Sequence, residues 1–390
     1  MVQKQASGCS RVYNSPTLLD FISFSVLADI YTARVTLLIQ PHGLSYSHTF
    51  RITIVIRVFC VSFHIVIAMN QSSRDLSWDL AKGICILLMI IGHCPGWHPI
   101  VYKAIESFHM PFFFIAAGWF FREKTTKEVV QSSFKRLLVP LLIGTCLCAL
   151  ICIIFGNTGA ALSWMKGLLF PGGTGNKTLF VRHWPCLGVF WYLAALFWCR
   201  IIYNLIFKAI GNKHTLLICA LISWFTITIS RRIILPLGIC EGLSGLVFYA
   251  AGHFAYNNNI TSIKIPWYAI VGILLLWFVE IHFVSFRMFL FGYTWYLFPL
   301  GALFACAMGL LLYKLMNLLV KFELGNKLAW FGLFSLEVMC CHQICRTILG
   351  QLNKLYDISD IQKALFLFIA SIILSVAYVS TKHLLFLRKG

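Results

Sequence analysis

From Trp78 to the C-terminus the sequence is a succession of strongly apolar stretches, each roughly 20 residues long, separated by short polar turns. A stretch of that length crosses the hydrocarbon of a bilayer as a helix, because only internal hydrogen bonds satisfy backbone N–H and C=O groups where water is absent. Spans are expected near residues 78–95, 104–121, 137–156, 187–207, 215–230, 235–256, 266–283, 297–319, 328–350 and 363–386. The predicted fold class is therefore all-α, a polytopic integral membrane protein with about ten transmembrane helices. Composition agrees. Of 390 residues, 59% are apolar and 12% charged, and the mean hydropathy of +0.83 leaves too little polar surface to cover a soluble domain of this size.

The formal charge of +19 comes from 32 Lys and Arg against 13 Asp and Glu. In a soluble chain that excess would point to nucleic acid. Here cationic residues are expected at cytoplasmic helix ends, beside anionic headgroups. No basic face interleaved with aromatics follows a strand, so no nucleic-acid partner is expected. The 15 cysteines fall mostly inside apolar segments, as Cys146, Cys148 and Cys152 do, and no pair of CxxC motifs appears. They read as small packing residues, and no metal site is expected.

Residues 1–68 differ from the rest, mixing Ser, Thr and Arg with short apolar pieces. They are read as an N-terminal extension, mis-called or dispensable, because MNQSSRDLSWDLAKG from Met69 reads as a polar leader entering a first span. Residues 69–390 form the transmembrane domain. Placing Arg74 in the cytoplasm assigns 15 Lys and Arg to cytoplasmic segments, more than the opposite side receives. The positive-inside rule thus predicts a multi-pass protein of the inner (plasma) membrane with both ends of the core cytoplasmic.

Ionisable groups within spans are costly and so become candidates for chemistry. At 100° per residue, Lys82 and His93 differ by about 20° around the first helix, and Asp79 lies about 60° from Lys82. One polar stripe results, rising about 16 Å between Lys82 and His93. Asp79 is a candidate substrate contact on it. The second span opens as ESFHMPFFFIAAGWFF, so His93 and His109 sit symmetrically about a turn near Val101 and are expected at similar depth. Two imidazoles on one cavity suit acyl transfer, one taking the hydroxyl proton and the other binding near the carbonyl. The same spacing equally fits two structural histidines bonded to backbone carbonyls. Pro111 is expected to open the helix start and free carbonyls beside the site. Glu241, Glu280, His282, Glu337 and His342 are weaker candidates.

Two connections stand out. REKTTKEVVQSSFKR, Arg122 to Arg136, is net basic and fits either a donor's phosphates or an ordinary membrane anchor. Asn157 to Cys186 holds Trp164, PGGTGN, His183 and Trp184. Trp184, with Trp191 heading the next span, is a candidate platform for a sugar ring, although an interfacial aromatic belt explains such residues as well.

RDLSWDLAKGICILLMIIGHC from Arg74, FHMPFFFIAAGWFF and FKRLLVP together resemble the membrane-bound acyltransferase family 3, in its fucose 4-O-acetylase-like branch. FWYLAALF at 190–197 and SLEVMCCHQ at 335–343 extend the resemblance from Met69 to the C-terminus. It implies a ten-helix enzyme that moves an acetyl (acyl) group from cytoplasmic acetyl-CoA, or another acyl-CoA, to a hydroxyl of a cell-surface or secreted carbohydrate. By the same resemblance His93 is the catalytic base and His109 the second essential imidazole. Lys82 is the cation of the family's basic-then-ten-then-His motif, and Arg136 belongs to its basic cluster. That cluster often reads Arg-x-x-Arg, and Ser133 stands here at the first Arg position, which leaves Lys135 or Arg122 to complete the donor contact. A transporter or flippase for a lipid-linked sugar is the rival reading. It predicts paired halves with broken helices, and no clear internal repeat is found.

Overall fold

The computed structural model describes residues 75–173, 184–230, 232–284 and 298–387. The reading of residues 1–68, His183 and much of the Gly-rich turn lie outside the described residues. All regular structure among the described residues is helical.

The chain runs through α1 Leu76–Gly92, α2 Pro99–Glu106, α3 His109–Trp119, α4 Thr126–Ser133, α5 Val139–Ile154 and α6 Thr158–Gly167. It continues through α7 Trp191–Ile210, α8 Asn212–Ile229, α9 Ile239–Asn257, α10 Trp267–Val279 and α11 Phe298–Leu319. The last helices are α12 Glu323–Leu333, α13 Ser335–Leu355 and α14 Asp360–Leu387. Polar side chains start several of them where backbone N–H groups lack helical acceptors. Asp75 accepts from the Ser77 amide at 3.0 Å, Thr125 and Glu128 form a reciprocal capping box, and Asn157 accepts from the Ala160 amide at 3.1 Å.

Every expected span coincides with helix, but two are not single rods. The 104–121 segment is α2 and α3, separated at Ser107 and Phe108. The 328–350 segment is α12 and α13, bent by 72°. Among the described residues six helices are long and apolar enough to cross a membrane, or up to seven if the bent pair is one span. The fold is thus an all-α, multi-pass membrane bundle. Helix α1, at 17 residues, is shorter than any of those six.

Close backbone contact fixes α12 across α1. A Cβ at Gly332 would collide with the Asp79 carbonyl, and one at Gly83 would lie 2.5 Å from the Leu328 carbonyl oxygen. Small residues at such crossings bring backbones together where the hydrophobic effect supplies no drive between helices. At the far end of α1, Cys94 packs with Cys345, Leu349 and Leu367, and its thiol reaches the Ala364 carbonyl at 3.6 Å. The end of α1, the second half of α13 and the start of α14 therefore share one end of the bundle.

Candidate active site

Both histidines sit where a helix breaks. α1 stops at Gly92, and the His93 ring turns back so that Nδ1 lies 2.7 Å from the Met89 carbonyl. α2 ends at Glu106, and His109 at the head of α3 puts Nδ1 2.7 Å from the Ile105 carbonyl. A carbonyl oxygen only accepts, so each Nδ1 donates. Each ring thus donates to the carbonyl four residues earlier, and its Nε2 is left as the lone-pair nitrogen, the tautomer a general base requires. Pro111 lies in the first turn of α3, where no helical amide is needed. The carbonyl that the His109 ring takes up, that of Ile105, is left by the break between α2 and α3 and not by the proline.

His93 and His109 line one cavity of about 810 Å³. From α1 it takes Lys82, Ile86, Met89, Gly92 and His93, the stripe expected from the helical period. From α13 it takes Ser335, Met339, Gln343, Arg346, Gly350 and Lys354, again one face of a helix. Nineteen residues of helix rise about 28 Å, close to the hydrocarbon thickness. The cavity therefore runs along most of the bundle, from Lys82 and Arg136 at one end to Trp164, Gln351 and Lys354 at the other.

The remaining expected residues divide. Lys82 and Arg136 line the cavity, whereas Lys135, exposed on the π-helical turn Phe134–Leu138, does not. Asp79 is buried behind Lys82 and pairs with it at 2.7 Å. It holds the ammonium in place without lining the cavity. Trp191 lines the cavity. Trp184 does not: its indole N–H donates to the Lys166 carbonyl at 2.6 Å and its ring packs edge-on to Phe170.

Several lining residues escaped the sequence reading: Tyr102, Arg200, Gln343 and Arg346. Gln343 receives the Val189 amide on Oε1 at 2.9 Å, tying α13 to the turn that leads into α7. That approach needs Gly188, whose φ is +56° and where a Cβ would strike Gln343. His342 is fully buried behind His93, their ring centroids 5.2 Å apart. Its Nδ1 lies 3.1 Å from the Ser371 hydroxyl, which itself donates to the Leu367 carbonyl at 2.5 Å. Glu337 instead pairs with Lys382 at 2.8 Å.

The acyltransferase domain of the acyltransferase 3 family matches residues 75–380. The nodulation protein NolL of Mesorhizobium japonicum is 29% identical over 143 residues, covering 33% of this chain and 35% of that protein. The nodulation protein NolL of Sinorhizobium fredii is 28% identical over 169 residues, covering 39% and 41%. The chain thus spans well under half the length of these relatives. No solved structure matches it. With a helical membrane bundle and a family match across most of its length, the chain belongs to the acyltransferase 3 family and is a multi-pass membrane protein.

Proposed function

We propose that the protein transfers an acetyl group from acetyl-CoA, or another acyl group from its CoA thioester, to a hydroxyl of a cell-surface or secreted carbohydrate, in the fucose 4-O-acetylase-like branch of the family. One observation carries this reading: two imidazoles with Nε2 left to accept a proton line a cavity that spans the bundle. In the proposed plasma-membrane orientation, Lys82 and Arg136 face the cytoplasmic end. There cations meet the donor's phosphates, and Ile86, Met89 and Phe113 offer an apolar wall to its pantetheine arm. The acceptor approaches from the Trp164 and Trp191 end, where indole faces suit the C–H face of a sugar. His93 takes the hydroxyl proton, and His109 polarises the carbonyl region or binds beside it.

The test is purified protein in nanodiscs with acetyl-CoA and a panel of methyl hexosides and deoxyhexosides, following free CoA by its thiol and the sugar by mass. Acceptor-dependent CoA release with one acetyl increment is expected. Glycoside movement without any CoA release would favour the flippase reading and defeat this one. The acceptor class is checked in cells, where loss of the gene should remove one acyl increment from surface glycans.

A further inference from the structure

Arg346 is a cavity cation that neither the family match nor the histidine pair explains. It lies at the middle of α13, eleven residues from Ser335 and nine from Leu355. Both ends of that helix line or adjoin the cavity, so the guanidinium sits at membrane depth. Intramembrane arginine is costly and is ordinarily met by a carboxylate or by backbone carbonyls. Here the ion pairs among the described residues join Lys82 to Asp79, Lys327 to Glu323, Lys363 to Asp360 and Lys382 to Glu337. None involves Arg346, and no described side chain or carbonyl hydrogen-bonds it.

Its surroundings are specific. Arg346 lines the cavity together with His93, His109, Tyr102 and Gln343. It follows by one helical turn the His342 whose ring packs against that of His93. A permanent positive charge on the same cavity wall as the base suits a reaction in which negative charge appears between them. Acyl transfer produces such a charge.

Resting on the proposed transfer, we infer that Arg346 stabilises the oxyanion formed on the acyl carbonyl. The acceptor hydroxyl gives its proton to His93 Nε2, and its oxygen bonds to the thioester carbon. The carbonyl π pair moves onto oxygen, where the guanidinium donates to it. Collapse restores the C=O bond and breaks the C–S bond, and the departing CoA thiolate takes the proton from His93. Atoms and charge balance with no further reactant. Arg346 then makes an interaction that exists in the transition state and not in the ground state, the kind that raises kcat.

The experiment compares wild type, Arg346→Gln and Arg346→Lys in nanodiscs, each first shown to be monodisperse. Acetyl-CoA and the glycoside panel supply the kinetics, and calorimetric binding of desulfo-CoA supplies a readout independent of turnover. Removing one oxyanion donor costs about a hundred- to a thousandfold in kcat. Arg346→Gln should lose that much, with both KM values and desulfo-CoA affinity nearly unchanged, and Arg346→Lys should recover part of it. Should Arg346→Gln fail to fold, the isocharged Arg346→Lys carries the test through its own loss of kcat at constant affinity. A variant at the wild-type rate overturns the inference while leaving the transfer reading intact, as does a loss expressed wholly in KM or desulfo-CoA affinity. A wild type that releases no CoA with any donor overturns both.

Discussion

Among the described residues, α3 is the wall between two cavities of contrasting character. Phe113, Ala116, Ala117 and Phe120 border the cavity of about 810 Å³, while Ile115 and Trp119, on the opposite face of the helix, border one of about 570 Å³. The larger is lined by two histidines, three arginines, two lysines and Glu106. The smaller is lined by Trp78, Trp119, Trp224, Phe254 and aliphatic residues, with no ionisable side chain other than Cys306 and Tyr313. In lipid an apolar hollow forfeits only packing contacts, whereas each charged group set into a wall carries a substantial penalty. Volume therefore says little about function here. Concentrated charge is what sets the candidate site apart.

The largest test of that contrast is His93→Ala. A positioned base contributes about a hundred- to ten-thousandfold, and acetyl transfer should fall by that range in protein that stays monodisperse in detergent. A purified variant at the wild-type rate would remove His93 from the reaction. Next comes a pair of adjacent cations. Arg136→Gln should raise the KM for acetyl-CoA about tenfold or more, as loss of a hydrogen bond to a charged group does. Lys135→Gln, outside the cavity, should change it less than about twofold. Equal effects would mean that the bulk charge of the segment matters and not the cavity wall. The smallest effect belongs to the apolar cavity: Cys306→Leu adds volume there and should leave kcat and KM within roughly twofold, whatever it does to melting temperature. A collapse of kcat in a folded Cys306→Leu protein would show that the two cavities work together.

Part of this was legible in the sequence because it obeys the helical period. The eleven-residue interval from Lys82 to His93 gave the α1 stripe, whereas the turn expected near Val101 lies earlier, at residues 93–98, because His98 and Pro99 start α2 there. The ion pair between Asp79 and Lys82 follows from i,i+3 neighbourhood, but that Asp79 stands behind the wall depends on α12 crossing α1 at Gly83 and Gly332. The bend between α12 and α13 carries no proline, and the apolar run reads through it unbroken. Trp184 was chosen for its exposure, yet a backbone carbonyl eighteen residues earlier in the chain holds its indole. Arg346 did leave a signal, an arginine well inside an apolar segment and one turn from His342. Its placement on the cavity needed the tertiary fold to be seen.

A single face of α13 borders the cavity over nearly the whole depth of the bundle. In the proposed reaction this separates what moves from what stays: the nucleotide remains with its own compartment, the glycan with the other, and a two-carbon unit is all that changes sides. Such an enzyme has no need to expose its site alternately, as a carrier must. Its burden is that of a doorway left ajar, and the guanidinium and ammonium groups along the passage would repel small cations that might otherwise leak through it.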